Sequence, residues 1–181
     1  MNSNVPTDAS ELIGSVFTAL RQGETLLAEL GQERYARKLS AVFNACIGGH
    51  YRHCLDHFRG LLAAACDGDL DYDRRERGTV IEHDRFAALN ATRELLHRFE
   101  QLDPRLLSRP LKVTCQTSFS TGGSQTASST VGREMMYAVA HAVHHYALIR
   151  VMGALMDLKL PAGFGVAAST LRHQAESAQA T

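Results

Sequence analysis

The sequence predicts an all-α protein, a four-helix bundle with a small β-hairpin inserted between the third and fourth helices. Three observations point there. Four long windows repeat apolar residues at three- and four-residue spacing, the period changes to alternation between Leu106 and Thr130, and the charged or Gly/Pro-rich segments fall between these windows. At 181 residues, 45% hydrophobic and 21% charged, the chain is suited to a single domain over 1–181, with flexible ends expected at about 1–9 and 171–181.

The first helix is expected from an N-cap at Asp8 or Ser10 to about Leu30. Ile13, Val16, Phe17, Leu20, Leu27 and Leu30 follow helical spacing, and Gly31 is placed to end it as a C′ glycine. Ser40 is the expected cap of a second helix reaching about Cys66. Its Gly48-Gly49 pair lowers helix propensity by roughly 1 kcal/mol per glycine, which close approach of a neighbouring helix would offset. Asp67 to Thr79, DGDLDYDRRERGT, is charged and aperiodic and reads as a connecting loop. At about 13 residues it is long enough for a crossover. The third helix is expected from near Val80 to Leu102, where Pro104 limits it.

Leu111, Val113, Cys115, Thr117 and Phe119 alternate with polar residues as a strand would. Thr121-Gly122-Gly123 reads as a turn and Ser124 to Thr130 as the returning strand or a loop. The last helix is expected over Gly132 to Asp157, followed by a Gly/Pro loop, LKLPAGFGVAAST, and a frayed polar tail.

Six of the nine histidines lie in the second and last helices. His141 and His145 are one turn apart on a mostly apolar stripe with Glu134, Ala138, Leu148 and Met152, while His50, His53 and His57 share a face of the second helix. If the two faces meet, His53, His141 and His145 supply three imidazole nitrogens to one divalent transition metal and leave positions open for water or substrate. Zinc is the first expectation, with nickel, iron or manganese as alternatives. His50, one turn before His53, either replaces it or adds a fourth nitrogen. Below about pH 6.5 free imidazoles take up protons, so metal binding is expected to weaken there. His144 lies about 60° from the His141 direction and, like His57, is expected beside the site.

Other assignments fit less well. A zincin needs Glu after its first histidine, where this chain has Ala142, and a di-iron carboxylate bundle needs two E-x-x-H motifs, of which only Glu94 and His97 make one. Cys46 and Cys54 lack C-x-x-C spacing, and with no secretion signal at MNSNVPTDAS all four cysteines read as free thiols in a cytoplasmic protein. Lys+Arg and Asp+Glu are both 19 and there is no Trp, so neither nucleic acid nor membrane is an expected partner. Phe58, Leu61 and Leu62 widen the apolar content of the second helix, on which a homodimer is expected.

In IGGHYRHCLD, with His53 three residues before Asp56, and in HAVHHYALI, the chain resembles the DinB-like superfamily. The segments DYDRRERGTVIEHDR, GREMMYAVAHAVHHYALI and FGVAAST also resemble an uncharacterised subgroup of it. The resemblance implies an up-down-down-up bundle with a long connection after the second helix and a metal bound by His53, His141 and His145. It further implies a small-molecule substrate, with characterised relatives that include thiol-dependent transferases, a mycothiol-dependent isomerase and a domain of an ergothioneine-forming enzyme. The chain departs from the commoner H-x-x-H-H-R-G-Q by carrying Tyr146-Ala147-Leu148. A metal-dependent hydrolase or thiol-dependent transferase is thus expected, against a non-catalytic, stress-related module that binds metal or a small molecule. Around the site, Glu134 can accept a hydrogen bond from a ligand imidazole or favour the helix N-terminus. Tyr72, Asp73, Arg75 and Glu82 are candidates for the mouth, and Phe164, Gly165, Ser169 and Thr170 either cover the site or cap the bundle.

Overall fold

Apolar faces at helical spacing bury themselves against one another through four long helices of the computed structural model, which describes residues 7–74, 78–119 and 123–179. Among the described residues, α1 is Thr7–Glu29, α2 Gln32–Ala36, α3 Ile47–Asp67, α4 Val80–His83, α5 Arg85–Glu100, α6 Val131–Ala154 and α7 Ala168–Gln179. The protein is mostly helical, with a small three-stranded sheet. Helix α3 packs against α6 and α5, and α1 against α5 and α6. Val16, Leu20, Tyr51, Leu55, Phe99, Ala142, Tyr146 and Ile149 are among the buried residues of the core between them. No described helix is long and apolar enough to cross a membrane.

The second helix starts later than Ser40. A 3-10 turn at Ser40–Val42 is followed by left-handed backbone at Phe43 (φ 51°) and Asn44 (φ 55°), which no α-helix can continue through. Cys46 then caps α3, its Sγ accepting from Gly49 N at 3.3 Å. The expected third helix is likewise two pieces. Asp84 adopts extended backbone (φ −121°, ψ 111°), and its carboxylate accepts from Phe86 N at 2.8 Å and Ala87 N at 3.1 Å, so one residue interrupts α4 and caps α5. Gln32 of α2 bridges the break, donating to His83 O at 2.6 Å and accepting from Arg85 N at 2.9 Å.

Gly31 is not a left-handed C′ residue: at φ −68° and ψ 146° it is the extended N-cap of α2. At the chain ends, α1 already includes residues 7–9, so Asp8 and Ser10 lie within it, and the expected frayed tail is the exposed helix α7. The remaining terminal residues, 1–6 and 180–181, lie outside the described ones.

The two strands of the hairpin are present and are joined by a third, while Thr121 and Gly122 of the expected turn lie outside the described residues. β2 (Pro110–Cys115) and β3 (Gln125–Thr130) pair antiparallel, Val113 opposite Ala127, while β1 (Asp69–Asp71) adds in parallel to β2 with Leu70 opposite Val113. Part of the charged connection is therefore sheet. Tyr72 N donates to Thr114 O at 3.0 Å, continuing the ladder, and β3 runs without a gap into α6, whose cap Thr130 accepts from Arg133 N at 3.2 Å. The sheet thus fixes Tyr72 and Ser129 beside the first turns of α6. Phe58, Leu61 and Leu62 are buried in the chain's own core, so the apolar width they add to the second helix is used within the chain.

Candidate metal centre

Helical spacing puts His141 and His145 on one face of α6, and the packing of α3 on α6 brings His53 up to them. His141 Nε2 lies 3.0 Å from His53 Nε2 and 3.1 Å from His145 Nε2. The His53 ring is steeply inclined to both, at 79° to His141 and 82° to His145, so ring edges rather than faces converge. Ligand atoms of the three half-buried histidines all lie within 4.8 Å of one another, a group that could hold a metal ion.

A neutral imidazole nitrogen carries either one hydrogen or one lone pair. Nε2 of His141 faces two like atoms and can make a full hydrogen bond to only one. A cation that accepts a lone pair from each nitrogen satisfies both contacts. Bonds of roughly 2.0–2.1 Å around one ion put neighbouring nitrogens about 3.0–3.4 Å apart, and the two observed edges fit that interval.

His50 occupies a different place. Its Nδ1 lies 2.9 Å from Nδ1 of His145, on the side of that ring away from the three converging nitrogens. His57 is buried, its ring centroid 4.7 Å from His53 and 4.2 Å from His141, and it touches Tyr72 at 4.9 Å. His144 is exposed at the rim, with its ring 5.4 Å from His145. Arg75 lies outside the described residues.

Glu134 is buried and accepts from Tyr72 Oη, from Ser129 Oγ at 2.6 Å and from Arg133 Nη1 at 3.2 Å. Among the described residues its donors are thus a phenol, a hydroxyl and a guanidinium. Tyr137, one turn before His141, stacks on that ring at 5.5 Å and 21°. The sequence signals Tyr137 only through its i, i+4 spacing from His141, and it carries no local signal for Ser129, whose place depends on strand pairing. Tyr72, Tyr137, Glu134, Arg133 and residues of β2 and β3, Cys115 and Ser129 among them, line a cavity of about 290 Å³ beside the histidines.

Phe164 packs elsewhere, stacked on Tyr146 at 4.8 Å with its carbonyl accepting from Arg150 Nη1 at 3.3 Å, so this segment caps the bundle. Gly165 lies against the backbone of Tyr146 and Ala147, and Ser169 and Thr170 are exposed. Glu82 turns to Arg52, 3.3 Å from its Nε, and Asp73 accepts from Gln116 N at 2.5 Å.

Burial and the neighbouring imidazoles push His145 from its ordinary 6.5 down to about 3, and burial, then His144, lowers His50. Both stay neutral at pH 7, the form that donates to metal. The same burial raises Tyr72, helped by Glu134, and raises the Cys115 thiol, so both hold their protons near neutrality. Proton competition at His145 therefore sets in below the 6.5 of a free imidazole. With the folded value depressed, the unfolded chain binds the proton more readily between pH 6.5 and about 3. The stability that neutral His145 contributes is complete above 6.5 and is lost as pH falls to about 3. Metal-free protein is expected to show a lower urea midpoint at about pH 4.5 than at pH 7.5, and a His145→Asn variant a smaller drop.

The fold and site together define a mostly helical protein with a three-histidine group able to hold a metal ion. No protein-family model matches the chain. Over 104 residues it is 35% identical to FK506-binding protein 5 of Rhizopus delemar, a stretch that covers 58% of this chain and 27% of that protein. The match thus spans about a quarter of the curated relative's length.

Proposed function

We propose that this is a divalent-metal protein of the DinB-like kind, an up-down-down-up bundle in which His53, His141 and His145 bind zinc and a small molecule reacts in the adjoining cavity. Its basis is the meeting of three imidazole Nε2 edges from two helices, which hydrogen bonding alone cannot satisfy. An ion held there supplies Lewis acidity and lowers the pKa of a water or a low-molecular-weight thiol.

The protein's own groups fit that role. His57 and Tyr137 pack against His141 and restrict its ring, while Tyr72 reaches from His57 to the cavity and donates to Glu134. Arg133, exposed at the cavity and also bonded to Glu134, presents its remaining N–H groups to an anionic substituent. Cys115 lines the same space as a protonated thiol, so a thiol that reacts here would come from the substrate side.

Elemental analysis of purified protein, followed by titration with Zn, Ni, Fe and Mn, tests the metal. Loaded protein is then assayed with low-molecular-weight thiols and electrophiles and with hydrolysable esters and amides. Turnover with any of them establishes an enzyme. Bound metal with no turnover across the panel identifies a binding module, and absence of any bound metal ends the proposal.

A further inference from the structure

We propose that His50 is a positioning residue for the metal site: it accepts a hydrogen bond from Nδ1 of His145 and so holds that ligand in the tautomer whose Nε2 is bare. The inference rests on the metal reading above and deepens it. His50 is in the first turn of α3, one turn before His53, so the helix that supplies one ligand also supplies a partner for another.

The 2.9 Å contact between the two Nδ1 atoms is an N–H···N hydrogen bond in one of two directions. If His50 donates, the single hydrogen of neutral His145 sits on Nε2, pointing at His141, and that nitrogen cannot bind metal. If His145 donates, its Nε2 lone pair faces Nε2 of His141 3.1 Å away, the arrangement a metal needs. Metal binding therefore selects the second direction, and the acceptor at His50 stabilises it. The contact also bars His50 from using Nδ1 as a fourth ligand to the same ion, because it meets His145 on the opposite edge of the ring.

In that tautomer the hydrogen of His50 sits on Nε2, which is enclosed and has no hydrogen-bond partner among the described residues. A buried polar atom without a partner destabilises a fold. His50 thus contributes to the metal site at a cost to the metal-free protein, and the two properties should separate on substitution.

The test compares wild type with His50→Phe, which keeps a ring and removes both nitrogens, and His50→Asn, whose Oδ1 takes the place of Nδ1 as an acceptor. Zinc affinity is measured by chelator competition, the number of bound imidazoles by X-ray absorption, and metal-free stability by urea unfolding. The expected results are three imidazoles in every variant, zinc affinity about 10–100-fold weaker in His50→Phe with partial recovery in His50→Asn, and a metal-free His50→Phe at least as stable as wild type. ¹⁵N chemical shifts of zinc-loaded wild type should place the His145 hydrogen on Nδ1. Wild-type zinc affinity in His50→Phe overturns the inference and leaves the metal reading standing. An imidazole count that falls by one makes His50 a ligand and overturns it too. A weaker affinity accompanied by an equal loss of metal-free stability assigns a merely structural role, again overturning it. Wild type that binds no zinc removes the metal reading, and this inference with it.

Discussion

His141→Ala will abolish stoichiometric metal binding, and His53→Ala and His145→Ala will do the same. His141 is central to the group, its Nε2 standing next to both other nitrogens, 3.0 Å from His53 and 3.1 Å from His145. Loss of a residue that merely orients a ligand typically weakens metal binding about 10–100-fold, and loss of one of three ligands should exceed that. The controls are set by position. His97 is exposed on α5, where Nε2 lies 3.0 Å from Gln101 Nε2 and Nδ1 is 3.7 Å from Glu100, and His173 is exposed on α7. His97→Ala and His173→Ala should therefore load like wild type. Elemental analysis and titration of all five variants decide it, and full loading of His141→Ala would remove the three-histidine site.

The three-histidine group was legible because it depends on helical period and on one packing contact. Two histidines four apart in a helix share a face whatever surrounds them, and the clustering of His50, His53 and His57 named the partner face. Which of the three reaches the group was not legible, since His50 and His53 are one turn apart and only the axial offset of α3 against α6 separates them. Tyr72 was named as a pocket residue, but its setting was hidden. Strand β1 is three residues long within an acidic run, and it pairs with residues more than forty positions later. The break at Asp84 was masked for a different reason. Apolar spacing continues through Ile81, Ala88 and Leu89, so periodicity gives one helix while the Asp84 side chain competes locally for the backbone. In the left-handed pair Phe43-Asn44, Asn44 adopts that backbone readily but Phe seldom does, so Phe43 is the residue local propensity does not foresee.

The glycine pair at the start of α3 tests how sequence cost and packing gain are matched, because its two members should respond to alanine in opposite directions. A Cβ on Gly48 would stand 2.1 Å from the backbone oxygen of Glu82 and 2.8 Å from Cε1 of Tyr35. Neither neighbour can yield. Tyr35 is fully buried and donates to Ile81 O at 2.6 Å, and the α4 backbone is tied to α2 through Gln32. Close approach was expected at this pair, and the element that approaches is the short helix α4. Gly49 has room, with the nearest atoms to its added Cβ at 3.6 Å on Cys46 Sγ and 3.8 Å on Glu82 Oε1. Overpacking should make Gly48→Ala less stable by about 3 kcal/mol or more, whereas Gly49→Ala should gain a few tenths to about 1 kcal/mol from helix propensity. Urea unfolding of the metal-free proteins measures both. His50 and His53 follow within two turns, so Gly48→Ala should also lose zinc affinity as α3 shifts, and Gly49→Ala should keep it. Equal stability of Gly48→Ala and wild type would mean that α4 does not press on α3 as described.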